Sequence, residues 1–153
     1  MVPLARPCGK HVMKRRLVLA VLPSLVLARS ALGQTFAFRN LAIDHPWAKP
    51  SVTEAAAVFM VLRNNGQRVD RLVSGSTPIA DKVILREFDG TPLEFFELQP
   101  RKPVALKPGR RYIALRGLRR ILAVEDSFPL SLKFAEGGTI DLTVVVEEGT
   151  EEP

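Results

Sequence analysis

Between residues 36 and 146 the apolar side chains come in short runs, most of them alternating with polar ones, and no run keeps a helical period. A two-residue repeat puts every second side chain on one face of an extended strand, and that pattern cannot bury one stripe of a helix. The spacing predicts strands over 36–43, 56–64, 71–76, 82–88, 93–98, 104–106, 111–115, 130–134 and 139–146, all rich in Val, Leu, Ile and Phe. Turn chemistry stands between them. Asn64-Asn65-Gly66 and Glu136-Gly137-Gly138 offer residues that tolerate positive φ, and Lys107-Pro108-Gly109 is the Pro-then-Gly order of a type II turn. Asp44-His45-Pro46-Trp47 and Lys49-Pro50 read as an irregular connection. Many short strands without helices predict an all-β fold of two packed antiparallel sheets.

At 153 residues the chain suits one domain with a real core. The net charge of +6 suggests an anionic partner until the charges are located. Arg6, Lys10, Lys14, Arg15, Arg16 and Arg29 all precede residue 34, where no acid occurs. Setting those six aside from the 22 bases leaves as many bases as the 16 acids. The folded part is close to neutral, which argues against nucleic acid as a partner.

Residues 1–33 read as a secretory signal. Lys14-Arg15-Arg16 is a positive n-region, the run from Leu17 to Ala28 is apolar, and Ala31 and Gly33 supply small residues for cleavage before Gln34. Roughly a dozen residues fall short of the ~20 that a spanning helix needs, so no stable membrane anchor is expected. Met13 stands directly before the charged triplet and is a candidate true start. The paired arginines leave both the Sec and the twin-arginine route open. These readings put the protein in the periplasm, with one domain over 34–146 and a mobile acidic tail over 147–153.

The sole cysteine, Cys8, lies in or before that signal, and none follows the apolar run as a lipid-attachment site would require. A chain starting at Gln34 has no thiol, and so no disulfide and no cysteine nucleophile.

Several segments, taken in order, resemble the periplasmic copper chaperones of the PCu(A)C family. Ile43 through Pro50 (IDHPWAKP) resembles the opening strand and Pro/Trp connection of the family, and Ala55 through Asn64 its Ala-Ala-Val strand ahead of a turn. Asp70-Arg71-Leu72-Val73 through Pro78-Ile79-Ala80, Val83 through Glu87, and Val104 through Gly109 (VALKPG) resemble further family segments. Tyr112 through Leu118 falls on the His-x-Met segment, and Phe128 through Phe134 (FPLSLKF) on the closing strands. The resemblance implies a Greek-key sandwich, cupredoxin-like or immunoglobulin-like. It also implies an exported protein that carries Cu(I) in copper supply, toward the CuA centre of cytochrome oxidase.

The ligand positions depart from the family. The first family histidine falls on Arg86, the His-x-Met pair on Tyr112 and Ala114, and the central methionine at about Phe95 or Phe96. Cu(I) is soft and favours thioether, thiolate and imidazole, none of which these residues supply. With Val83, Leu85, Ile113 and Leu115 inward, alternation puts Arg86, Tyr112, Ala114 and Arg116 together on the outer face. After residue 33 the chain holds one histidine, His45, and one methionine, Met60. His45 reads as a surface residue or a packing partner of Trp47, and Met60 as an ordinary strand residue. No metal site and no cofactor are expected, with Cu(I) admitted only if a partner completes the site.

Arg110, Arg111, Arg116, Arg119 and Arg120 crowd one stretch, with Arg86 and Lys107 as possible neighbours. They read either as a solvated face neutralised by Glu94, Glu97, Glu125 and Asp126, or as a face for an acidic partner. Phe88, Phe95, Phe96 and Tyr112 read as core and hairpin packing or as an apolar contact patch. After residue 33 no nucleophile elbow, phosphate-cradling loop or histidine beyond His45 supports catalysis, so no enzyme activity is expected. Two functions follow. One is a PCu(A)C-type protein in copper supply, diverged from direct Cu(I) binding. The other is a metal-free periplasmic adaptor that docks a partner protein through Arg86, Tyr112, Arg116 and Arg119.

Overall fold

The computed structural model describes residues 34–149, so the export signal, Cys8, Met13, the cleavage point and the last four residues lie outside the described residues. Eleven strands follow one another: β1 Thr35–Phe38, β2 Leu41–Ala48, β3 Ala55–Asn64, β4 Asp70–Ser76, β5 Ala80–Arg86, β6 Pro92–Leu93, β7 Phe96–Leu98, β8 Val104–Leu106, β9 Tyr112–Leu118, β10 Ser127–Phe134 and β11 Gly138–Val146. Hydrogen bonds link them in the order β6-β5-β9-β3-β2-β11-β10-β4-β7, with β1 on β2 and β8 on β3. β6 and β7 end that path at opposite sides, yet only Glu94 and Phe95 separate them in the chain. The sheet therefore curls until its two halves face each other, β5-β9-β3 over β10-β4. The expected all-β sandwich class holds, with connections that cross from half to half in Greek-key fashion.

Alternation builds the core. In β10, Phe128, Leu130, Leu132 and Phe134 are buried while their neighbours reach outward, and Val58, Met60 and Leu62 do the same in β3. Ile113, Leu115, Leu85, Val144 and Val146 complete the shared interior. Each such side chain contributes about 1.5–3 kcal/mol on leaving water. Pro129 sits in a central strand, but β4 pairs with β10 only from Ser131 onward, so no ladder bond is lost on that side.

Four local differences from the sequence reading have physical causes. The expected strand over 36–43 is a hairpin, because Arg39 takes φ 53° and turns the chain between β1 and β2. The expected connection at Asp44-His45-Pro46-Trp47 is strand: β2 runs through it with a bulge, and His45 at φ 48° absorbs the extra residue. The strand over 93–98 splits into β6 and β7, which belong to different halves. Gly66 does not turn through positive φ. The Asn64 side chain makes that turn by accepting the Gly66 N–H at 2.9 Å, whereas Gly109 and Gly138 do take positive φ, as expected.

One pairing is parallel. Val145 and Val146 run alongside Trp47 and Ala48 where β11 replaces β1 at the edge of β2. Beyond it, Glu147 N–H donates to Ala48 O at 2.9 Å, so the start of the acidic tail continues along β2.

Candidate functional site

β5 and β9 are antiparallel neighbours whose register pairs Arg86 with Tyr112, Ile84 with Ala114 and Lys82 with Arg116. Cross-strand partners point to the same side, so Arg86, Tyr112, Ala114 and Arg116 share the face away from Leu85, Ile113 and Leu115. Ala114 lies on that face and is nevertheless buried, at 4% exposure, by its taller neighbours.

The strand end bearing Arg86 leads into a tight loop before β6. Glu87 N–H donates to Thr91 O and Gly90 N–H to Glu87 O, and Gly90 holds φ 86°. Arg86 reaches across this loop, and its Nη1 donates to Gly90 O at 2.5 Å. A β-carbon on Gly90 would lie 3.7 Å from Arg86 Nη1 and 3.9 Å from the Tyr112 hydroxyl, so both side-chain tips converge over the loop. Arg86 Nε is shielded from solvent and has no acceptor. Next to them, Arg111 Nε donates to Glu87 at 2.7 Å. Asp89 accepts the Thr91 N–H at 2.9 Å, a bond that holds its carboxyl below the usual carboxylate range.

The aromatic residues expected around this point separate. Phe88 is exposed at the loop tip, and Phe95 is partly exposed under the Arg71 guanidinium, 4.6 Å from the ring centroid. Phe96 is fully buried in the core. Between the two residues expected at the central ligand position, only Phe95 is near the surface.

The expected arginine face divides as well. Arg119 lies past the far end of β9 from Tyr112, about 20 Å along the strand. There it donates to Asp81 at 2.9 Å and to Pro78 O at 3.2 Å. Arg120 reaches Asp126 and Ser127 O. Arg119 therefore does not join Arg86 and Tyr112 in one site. The neutralising acids are Asp81, Glu87 and Asp126, and among the expected ones only Asp126 serves.

A guanidinium, a phenol and a methyl group offer Cu(I) no soft lone pair, and the first carries a fixed positive charge. The two soft donors among the described residues lie elsewhere. Met60 is buried in the core at 1% exposure, opposite Leu106. His45 stands on the β2 bulge, its Nε2 3.2 Å from Glu147 and its ring tilted against Trp47. Among the described residues no three His, Cys, Asp or Glu side chains converge. The residues at this site do not fit a bound Cu(I) ion.

A cleft of about 510 Å³ opens where Asn64, Asp70, Arg39, Arg68 and Gly137 contribute to its lining. Its buried polar groups are satisfied. Asp70 accepts N–H bonds from Arg71, Glu136 and Gly137 at 2.7–2.9 Å, and Asn64 bonds Arg68 O, Leu98 O and the Gly66 N–H. In the sequence Asn64 reads as a turn residue and Asp70 has no evident role, because their partners lie up to 67 positions away.

Among known families, the model described as LpqE-like, for lipoproteins, matches residues 41–146. The chain belongs to the LpqE-like family. Solved PCu(A)C domains share its cupredoxin-like fold. The copper-bound PCuAC domain from PmoF2 superposes with a TM-score of 0.71 at 21% identity, covering 76% of this chain and 99% of that one. The apo PCuAC domain from PmoF1 gives 0.68 at 20%, covering 76% and 100%. The Cu(I) form of DR1885 from Deinococcus radiodurans gives 0.61 at 23%, covering 81% and 87%. No curated protein matches by sequence. In this LpqE-like chain the one cysteine precedes the apolar run of residues 17–28. No helix among its described residues is long and apolar enough to cross a membrane.

Proposed function

We propose that this protein is an exported, non-enzymatic PCu(A)C-type member of a copper-supply system, which meets a partner protein through the outer face around Arg86, Tyr112 and Arg116 and does not hold Cu(I) with its own side chains. Family membership and the fold of copper-bound domains support the copper context. The lipoprotein family and the signal-like residues 14–33 support export to the periplasm, with residues 34–146 as the working domain.

The observation that carries the reading is the Arg86 guanidinium, folded over Gly90 beside the Tyr112 hydroxyl at the positions where the family resemblance expects ligands. At 4 Å and an effective dielectric of about 20, a fixed positive charge opposes a Cu⁺ ion by about 4 kcal/mol, roughly a thousandfold in affinity. A relative with histidine there gains ligand bonds and carries no such repulsion.

Anaerobic titration of the purified protein with Cu(I) against a chromophoric chelator tests this. No competition is expected, whereas tight stoichiometric binding overturns the reading. The triple variant Arg86→His, Tyr112→His, Ala114→Met removes the charge and adds three soft donors. It is expected to compete for Cu(I), and a well-folded triple variant that does not compete shows that the ligand positions are elsewhere.

A further inference from the structure

The cleft above Asn64 and Asp70 lies where three turns meet, and hydrogen bonds tie all three together. The Asn65 N–H donates to Asn40 O at 2.7 Å, joining the β3–β4 loop to the β1–β2 turn. Asn64 Nδ2 donates to Arg68 O at 2.7 Å, and Asp70 takes the Glu136 and Gly137 N–H groups of the β10–β11 turn at 2.9 Å. The floor, made by Asn64, Gly66, Asp70 and Gly137, is buried. Its polar side chains are engaged in holding the loops, so the cleft is preformed. Its volume of about 510 Å³ falls within the roughly 300–1,000 Å³ usual for small-molecule sites.

The walls have a different chemistry. Arg39, Asn40, Asn65, Gln67, Arg68 and Glu136 line them and are exposed. Two guanidiniums and three primary amides make these walls rich in donors, and Glu136 supplies their one carboxylate. The Asp70 carboxylate beneath accepts three backbone N–H bonds. Arg39 is held under strain. It keeps φ 53°, a left-handed conformation that Asn or Gly adopts more easily, although the next residue is an asparagine. The turn alone does not call for an arginine there. The Arg39 guanidinium lies over the Phe38 ring, 5.3 Å from its centroid, and a stacked guanidinium keeps its N–H edge available to an acceptor.

We propose that this cleft binds a small oxyanion, a hydroxyl-bearing molecule with a phosphate or carboxylate group, gripped by the Arg39 and Arg68 guanidiniums. A guanidinium meets either oxyanion with paired N–H donors, and such charge-assisted bonds are about twice as strong as neutral ones. The amides of Asn40, Asn65 and Gln67 both donate and accept, which suits the hydroxyl groups of the same ligand. Glu136 repels the anion and limits its affinity. The lining includes none of Arg86, Tyr112 or Arg116, so this site goes beyond the reading of that face and does not depend on it.

Titrating the purified, nitrogen-15-labelled protein with glucose 6-phosphate and with citrate, and following amide shifts, tests this and separates the two sources of the anion. At least one is expected to move the signals of residues 39–40, 65–68 and 136–137 saturably, with half-saturation below about 1 mM. Glucose should bind at least tenfold more weakly. Arg39→Asn should weaken binding at least fivefold while the urea midpoint stays equal or rises, because Asn tolerates the positive φ. Glu136→Gln should tighten binding at least twofold. Lys102→Ala removes a charge outside the lining, on the turn whose Arg101 N–H donates to Asn64 O, and should change affinity less than twofold. The proposal falls if neither anion half-saturates these signals below that concentration, or if glucose binds as well as glucose 6-phosphate. It falls if Lys102→Ala weakens binding as much as Arg39→Asn, since the attraction is then diffuse charge. It falls equally if Arg39→Asn binds like the parent or lowers the urea midpoint, since the arginine then serves the fold through Phe38.

Discussion

Asp70 opens β4 and Arg86 closes β5, and the two charged residues meet opposite surroundings. Asp70 is 5% exposed and surrounded by donors, its two oxygens accepting three backbone N–H groups from its own strand and from the β10–β11 turn. Arg86 is partly buried with one carbonyl partner, and its Nε has none. A carboxylate held by three amides fixes where two chain segments meet, so its environment explains its presence. A shielded donor without an acceptor adds nothing to folding, and its presence calls for another explanation. The satisfied carboxylate is scaffold, and the unsatisfied guanidinium is not explained by folding alone.

The largest effect should come from Asp70. Asp70→Ala removes the acceptor of three N–H groups, two of them in a turn packed against Leu41. Stranded donors and lost charge-assisted bonds together predict a loss of about 3–5 kcal/mol. Urea unfolding of the purified protein would read this as a lower midpoint at unchanged slope. Asp70→Asn keeps one acceptor oxygen and should recover part of the loss. A cost below about 1 kcal/mol for Asp70→Ala would remove the contrast with Arg86.

At Arg86 the expected change is small, because two opposing effects nearly cancel. Arg86→Met gives up the bond to Gly90 O but also removes the orphaned Nε, and it keeps most of the apolar stem. The two effects oppose each other, and the midpoint should stay within about 1 kcal/mol of the parent. A loss of 3 kcal/mol or more would make Arg86 a structural clamp on the β5–β6 loop, and its presence would then need no functional account.

How far these features were legible in the sequence follows from the reach of the interactions that make them. Alternation is local, so the strands through Val58, Met60 and Leu62 or Phe128, Leu130 and Leu132 could be read directly, with their inward faces. The shared face of Arg86 and Tyr112 could be read for the same reason. The β2 bulge could not, because it depends on His45 taking φ 48° to keep Trp47 against Phe59, a demand that only the neighbouring strand imposes. Phe95 and Phe96 look alike in sequence and differ only because β7 turns one of them inward. The separation of Arg119 from Arg86 is a matter of strand length, since β9 continues to Leu118 where the sequence reading stopped it at residue 115.

The smallest effect concerns the loop that Arg86 spans. Asp89 sits at its exposed tip and accepts the Thr91 N–H at 2.9 Å, and this bond to the charged form lowers its pKa. A carboxyl with a folded-state pKa below its unfolded value contributes stability above the unfolded value, near pH 4, and loses that contribution as pH falls through the lowered folded value. Asp89→Asn should therefore leave the urea midpoint nearly unchanged at pH 2 and lower it slightly at pH 7, so that the acid limb of the stability profile becomes shallower than in the parent. An unchanged acid limb would mean that the loop gains nothing from this bond, leaving the Arg86 contact to Gly90 O and the backbone bonds between Glu87, Gly90 and Thr91 to define its shape. A steeper limb would require Asp89 to be stabilised in its neutral form, which an amide donor aimed at its oxygen opposes.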